Sequence, residues 1–160
     1  MMHTAEKVII STAVTGSVNV PSQSDYLPLS PEEVVRASVE AAAAGSAIIH
    51  LHARHPDGRP AFEAGMFEQI IPPILEQVDV VINISTGGSS QMTMDERLAG
   101  ATRFSPELAS LNMGSMNFVY SGIADKVTNW KHDWEEPYVR GTYSHPFINS
   151  FDRIEYVLRE

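Results

Sequence analysis

The chain has 160 residues, 43% of them hydrophobic and 19% charged, which is enough material for one ordinary soluble core. Its 20 acidic residues against 11 basic ones give a formal net charge of -9. That balance argues against nucleic acid or an anionic membrane surface as partner, because either needs clustered Lys and Arg. With no cysteine in the chain, disulfides, thiolate metal sites and cysteine nucleophiles are excluded.

The opening "MMHTAEKVII" has no basic stretch leading into an apolar core, and no segment approaches the roughly 18 apolar residues in a row of a membrane helix. A cytoplasmic protein is the expectation. "KVIISTAV" (7–14) reads as a short β-rich strand. In "SPEEVVRASVEAAAAG", Ser30 can N-cap a helix, Pro31 suits its first position, Glu33 completes a capping box and Gly45 supplies a left-handed stop. "SAIIHLHA" is a second strand, followed by the loop "RHPDGRPAFEAG". A helix is expected near 66–77 with Met66, Phe67, Ile70, Ile71, Ile74 and Leu75 apolar, interrupted by Pro72 and Pro73.

"DVVINIS" is a third strand, "TMDERLAGA" a short helix opened by Thr93, and "ELASLNMG" a fourth strand. An irregular aromatic stretch follows over 128–147. A last amphipathic helix, "SFDRIEYVLRE", carries Phe151, Ile154, Val157 and Leu158 on one stripe. Apolar strands alternating with helices predict a parallel sheet with helices on its faces. Four βα units fit this length, whereas a closed eight-stranded barrel takes about 250 residues. The pattern therefore suits either an open four-stranded α/β domain or the front half of a barrel.

In such folds the chemistry gathers beyond the C-terminal ends of the strands. His50 and His52 are spaced i, i+2 on the second strand, so both point to one face about 7 Å apart along the chain. A zinc or similar divalent ion uses two such imidazoles, with two further ligands; satisfied core histidines are the alternative. His55 is either a third ligand or a surface-loop residue. In "NISTGGSS" (83–90), Ser85 and Thr86 offer hydroxyls, and Gly87 and Gly88 let backbone N–H groups turn inward as an anion nest. A flexible turn explains the same residues. Ser110, Asn112, Ser115 and Asn117 alternate with apolar residues and would share one face of a strand, while Thr12 and Thr15 beside Gly16 sit at the end of the first. The carboxylates of "SPEEV" are explained by capping, "DWEEP" and "HPF" by loop packing, and His132 and His145 as surface or aromatic-cluster residues.

Taken together, "TGS", "PLSPEEV", "AGSAIIHLHAR" with "DGRP", "INISTGG", "DERLAG" and "PELASLNMGSMNF" resemble, in order and spacing, the β-keto acid cleavage enzymes, the family of the 3-keto-5-aminohexanoate cleavage enzyme. The resemblance implies a zinc-dependent (β/α)8 TIM barrel, a homotetramer, of which this chain holds the first four βα units as one domain. It implies a Claisen-type exchange between a β-keto acid and acetyl-CoA, giving acetoacetate and a new acyl-CoA with no cysteine nucleophile. His50 and His52 fall on two zinc ligands. Ser85, with Thr86 beside it and the backbone of Gly87 and Gly88, falls on the cradle for the keto acid carboxylate, and Ser110 on a threonine of that cradle. Val18 stands where the family's prototype has a glutamate that pairs with the substrate's ammonium group, which implies a substrate without that charge.

The family's third zinc ligand, a glutamate, and the neighbouring aspartate base and arginine belong to later strands, so this chain is expected to be a truncated product that is inactive alone. Two other classes fit the bare motifs: a metal-dependent hydrolase on another barrel, and a non-catalytic α/β module that binds an anion at Ser85–Gly88.

Overall fold

The β-branched runs of this chain become strands of a single parallel sheet in the computed structural model, which describes residues 7–89 and 92–160. Strands β1 (Ser11–Ala13), β2 (Ile48–Leu51), β5 (Val81–Ser85) and β6 (Leu108–Ser110) lie side by side in chain order. Each pair is parallel, with Ala13, His50, Asn83 and Leu108 in one register layer and Ser85 level with Ser110. A doubly wound sheet reverses its strand order at a switch point. This one never reverses, as in an arc of a (β/α) barrel.

Helix α1 (Pro31–Ala43) starts as its sequence demands. The Ser30 Oγ accepts from the Glu33 N–H at 3.2 Å, and the Glu33 carboxylate accepts from the Ser30 and Leu29 N–H groups at 3.1 and 2.8 Å. It ends where Gly45 turns left-handed (φ 106°), its N–H donating to the Ala42 carbonyl and that of Ser46 to Ala41. Helix α4 (Met94–Phe104) repeats the device with Thr93 and Glu96. The apolar edges of β2 and β5, Ile49, Leu51, Ile82 and Ile84, pack outward against Val34, Phe67, Ile70 and Ile74 and form the main core. Their alternate residues, His50, Asn83 and Ser85, face the inner side and stay half-buried. The strands are thus apolar on one face only, not on both.

Several elements differ from the sequence expectation. The helix near 66–77 is two short ones, α2 (Ala64–Glu68) and α3 (Ile71–Leu75). Pro72 and Pro73 occupy the first turn of α3, where an N–H has no helical partner to lose. The loop after β2 contains a hairpin, β3 (Ala53–Arg54) against β4 (Pro60–Ala61). The strand expected over 107–114 stops at Ser110, so Ser115 and Asn117 do not share its inner face; the Ser115 Oγ instead accepts from the Asn149 N–H at 2.9 Å.

The aromatic stretch is partly helical. Helices α5 (Ser121–Ala124) and α6 (Glu135–Gly141) set Tyr120, Ile123, Trp130, Trp134 and Tyr138 around buried Val20, Ala124 and Val139, a second cluster. In α7 (Phe151–Arg159) only Ile154 of the expected stripe is buried, while Phe151 is 91% and Leu158 69% exposed. No helix among the described residues is long and apolar enough to cross a membrane.

Because Ile49 is fully buried against this core, Ile49→Ala should cost about 2–5 kcal/mol in urea unfolding. Leu158→Ala on the exposed side of α7 should stay within about 0.5 kcal/mol of wild type.

Candidate functional site

The period-two geometry of β2 brings His50 and His52 together beyond its C-terminal end. Their Nε2 atoms stand 3.1 Å apart, with the rings 4.9 Å between centroids and nearly perpendicular. Burial, the neighbouring His50 and then Arg54 pull the His52 pKa down to about 3, and burial lowers that of His50. Both rings are therefore neutral near pH 7. Two neutral imidazoles can meet at this distance if one Nε2 donates a proton to the other; two facing lone pairs need a cation between them. Tetrahedral zinc with nitrogens at about 2.0–2.1 Å sets two ligands roughly 3.3 Å apart. The donor set and its spacing fit such an ion.

The pair opens into a cavity of about 490 Å³ at the C-terminal ends of the strands. One wall is the loop after β1, with Ser17 and Val18. The end of β5 and the loop after it contribute Ser85, Gly87 and Gly88, and the end of β6 and the segment after it contribute Ser110 and Asn112. Phe118, Tyr120, Tyr138, His145 and Phe147 close the far side. Gly88 has φ 55°, and a Cβ there would lie 2.6 Å from the Met92 sulfur, so any other residue would be strained and would displace Met92. The Gly87 N–H donates to the Ser85 Oγ at 3.2 Å, which holds the serine over the cavity floor. Ser90, the last residue of the "NISTGGSS" motif, lies outside the described residues.

Other expected site residues are placed elsewhere. Thr86 is buried behind the loop and donates its hydroxyl to the Ser110 carbonyl, so it braces β5 against β6 and does not line the cavity. The Thr15 hydroxyl likewise donates to the His52 carbonyl at 3.2 Å. His55 belongs to the β3–β4 turn, its ring 3.6 Å from Glu63. Among the described residues no three His, Cys, Asp or Glu side chains are grouped to hold an ion, so His55 is not a third ligand here. His132 stacks on Trp134, as a surface residue in an aromatic cluster would. His145 does line the cavity, with its Nδ1 at 2.7 Å from the Gly141 carbonyl.

Two arginines build the walls. Arg54, 2% exposed, donates to the carbonyls of Gly58, Gly16 and Asn19 at 2.6, 2.9 and 2.9 Å, and burial lowers its pKa to about 10. It thereby clamps the loop that carries Val18. The Tyr138 hydroxyl donates to the Ser17 carbonyl of the same loop at 2.9 Å. Arg97 donates to the Thr86 carbonyl at 2.8 Å and to the Asn149 side chain at 2.9 Å, and lies 4.7 Å over the Phe147 ring. Sequence reasoning assigned none of these roles. The one available signal was Arg54 itself, a basic residue two positions beyond His52 on an otherwise apolar run.

The family model for β-keto acid cleavage enzymes matches residues 7–160. The chain belongs to the β-keto acid cleavage enzyme family. It is 46% identical over 158 residues to the 3,5-dioxohexanoate:acetyl-CoA acetone transferase of Paraburkholderia graminis, covering 98% of this chain and 51% of that protein. To the 3-keto-5-aminohexanoate cleavage enzyme of Fusobacterium nucleatum it is 35% identical over 161 residues, covering 96% and 57%. The chain thus spans about half the length of these β-keto acid cleavage relatives. The solved ternary complex of ObcA with C4-CoA adduct and oxalate superposes with a TM-score of 0.59 at 19% identity, over 85% of this chain and 29% of that one. That likeness is one of fold, a TIM barrel of which this chain forms about the first four βα units.

Arg54→Met should leave three carbonyls of two loops without their donor and destabilise the chain by about 2 kcal/mol or more in urea unfolding. Limited proteolysis should then cut first within Gly16–Asn19. Lysine should not rescue it, since an ammonium lacks the planar fork that reaches all three.

Proposed function

We propose that the enzyme carrying this chain is a cytoplasmic, zinc-dependent homotetramer that exchanges acyl groups between a β-keto acid and acetyl-CoA. The acetyl group joins C2 of the keto acid to give acetoacetate, and the original acyl group leaves on CoA. The exchange consumes no water and changes no oxidation state. The observation that carries this reading is the convergence of the Nε2 atoms of His50 and His52 on a cavity that also holds Ser85, Gly88 and Ser110.

His50 and His52 would hold the zinc, which when bound supplies Lewis acidity toward the keto oxygen. The Ser85 and Ser110 hydroxyls, level in neighbouring strands, would receive the substrate carboxylate with the Gly87–Gly88 backbone and so fix C2 in place. Arg54 and Arg97 form no ion pair with a carboxylate among the described residues, and two such buried cations favour an anion in an otherwise acidic chain. The third ligand and the general base are assigned to later strands of the barrel, with this chain as its N-terminal part.

Val18 lines the cavity and offers no charge to a substrate ammonium. The relative at 46% identity is named for 3,5-dioxohexanoate, whose tail is uncharged. A β-keto acid with a neutral tail is the substrate class these two observations support.

The enzyme should form acetoacetate from acetyl-CoA and 3,5-dioxohexanoate with kcat/KM about tenfold or more above that for 3-keto-5-aminohexanoate, and Val18→Glu should narrow that ratio. Ester hydrolysis with no need for acetyl-CoA would favour a hydrolase instead.

A further inference from the structure

Asn83 is the inner-face residue of β5 that precedes Ser85. It stands directly across from His50 in the β2–β5 ladder, one layer below Ser85, and on the same inner face of the sheet. It is absent from the residues lining the cavity, so it lies beneath the histidine pair and out of reach of a substrate held there. Its Oδ1 is sealed from solvent and has no hydrogen bond of good geometry to any described residue. A buried amide oxygen without a donor is costly, so a native structure rarely keeps one unless a donor comes to claim it.

The nearest donor by placement is His50. The Nε2 of His50 is committed to His52, which leaves Nδ1 as the nitrogen that can face Asn83. Hydrogen bonds at such sites are commonly loose before a ligand is bound and tighten afterwards.

We infer that Asn83 is a positioning residue: its Oδ1 accepts from the Nδ1–H of His50 and fixes the tautomer that leaves the His50 Nε2 lone pair free for a metal ion. A metal-bound histidine generally gives its other N–H to an oxygen, which orients the ring and raises its basicity, and loss of that oxygen weakens metal binding by about 10–100-fold. Asn83 is placed to be that oxygen. The inference rests on the zinc reading, but the tautomer can be read without metal.

In metal-free chain labelled with 15N, long-range proton–nitrogen correlations report which His50 nitrogen carries the proton. Wild type should show Nδ1–H. Asn83→Leu and Asn83→Ala should shift His50 toward the Nε2–H form and weaken zinc binding by about 10–100-fold in competition with a chromophoric chelator. Asn83→Asp, which keeps an oxygen in place, should restore both. An unchanged His50 tautomer in the leucine and alanine variants overturns the inference, whether or not zinc binding weakens, because weakening alone would be a packing effect. If wild type takes up no zinc at His50, the zinc reading fails. The tautomer comparison then still decides whether Asn83 positions the ring.

Discussion

Two neutral imidazoles whose nitrogens stand 3.1 Å apart in a half-buried site are the constraint around which the rest of this chain is arranged. They must share a proton or a cation, and either demands that both rings hold their orientation. The strand makes the first contribution, because alternation along β2 puts both rings on one side with Leu51 pinned in the core between them. Its neighbours complete it. With β2 between β1 and β5 in unreversed order, Asn83 and Ser85 share the inner face with the pair, and the outer faces of β2 and β5 pack Ile49, Leu51, Ile82 and Ile84 against the helices.

The walls above that floor come from segments far apart in the chain, and buried guanidinium groups tie them together. Arg54 joins the β3–β4 hairpin to the loop after β1, and Arg97 joins the loop after β5 to Asn149, whose side chain donates in turn to the Asn112 carbonyl. Arg54 donates to backbone carbonyls and Arg97 to a backbone carbonyl and the Asn149 amide oxygen, so neither charge is cancelled by a carboxylate among the described residues. Structure and electrostatics thus have one source. The groups that fix the loops are also two buried positive charges in a chain whose net charge is -9.

Much of this was legible in the sequence because it is local. The capping boxes at Ser30–Glu33 and Thr93–Glu96, the glycine stop at Gly45 and the strand-spaced histidines need only a few neighbouring residues to define them. The cradle serines and Val18 were legible through the family resemblance, and they line the cavity. What escaped depends on long-range contact. Nothing near Tyr138 in the chain signals that its hydroxyl donates to Ser17, and His145 reaches the cavity only because α6 and the loop after it fold back over the strands. Thr86 was misplaced because a hydroxyl in a βα loop can turn inward to the cavity or back to a neighbouring strand, and here it turns back to the Ser110 carbonyl. The apolar stripe of α7 is helical as read, yet Phe151 and Leu158 remain on its exposed side; amphipathic spacing shows a face without showing what covers it.

The central claim is that His50 and His52 together hold a zinc ion. Elemental analysis of the enzyme carrying this chain, beside the His50→Ala/His52→Ala variant, tests it most directly. Zinc near one per chain is expected in the wild type and almost none in the variant. Equal metal in the two, or no metal in a folded and dialysed wild type resupplied with zinc, would contradict it.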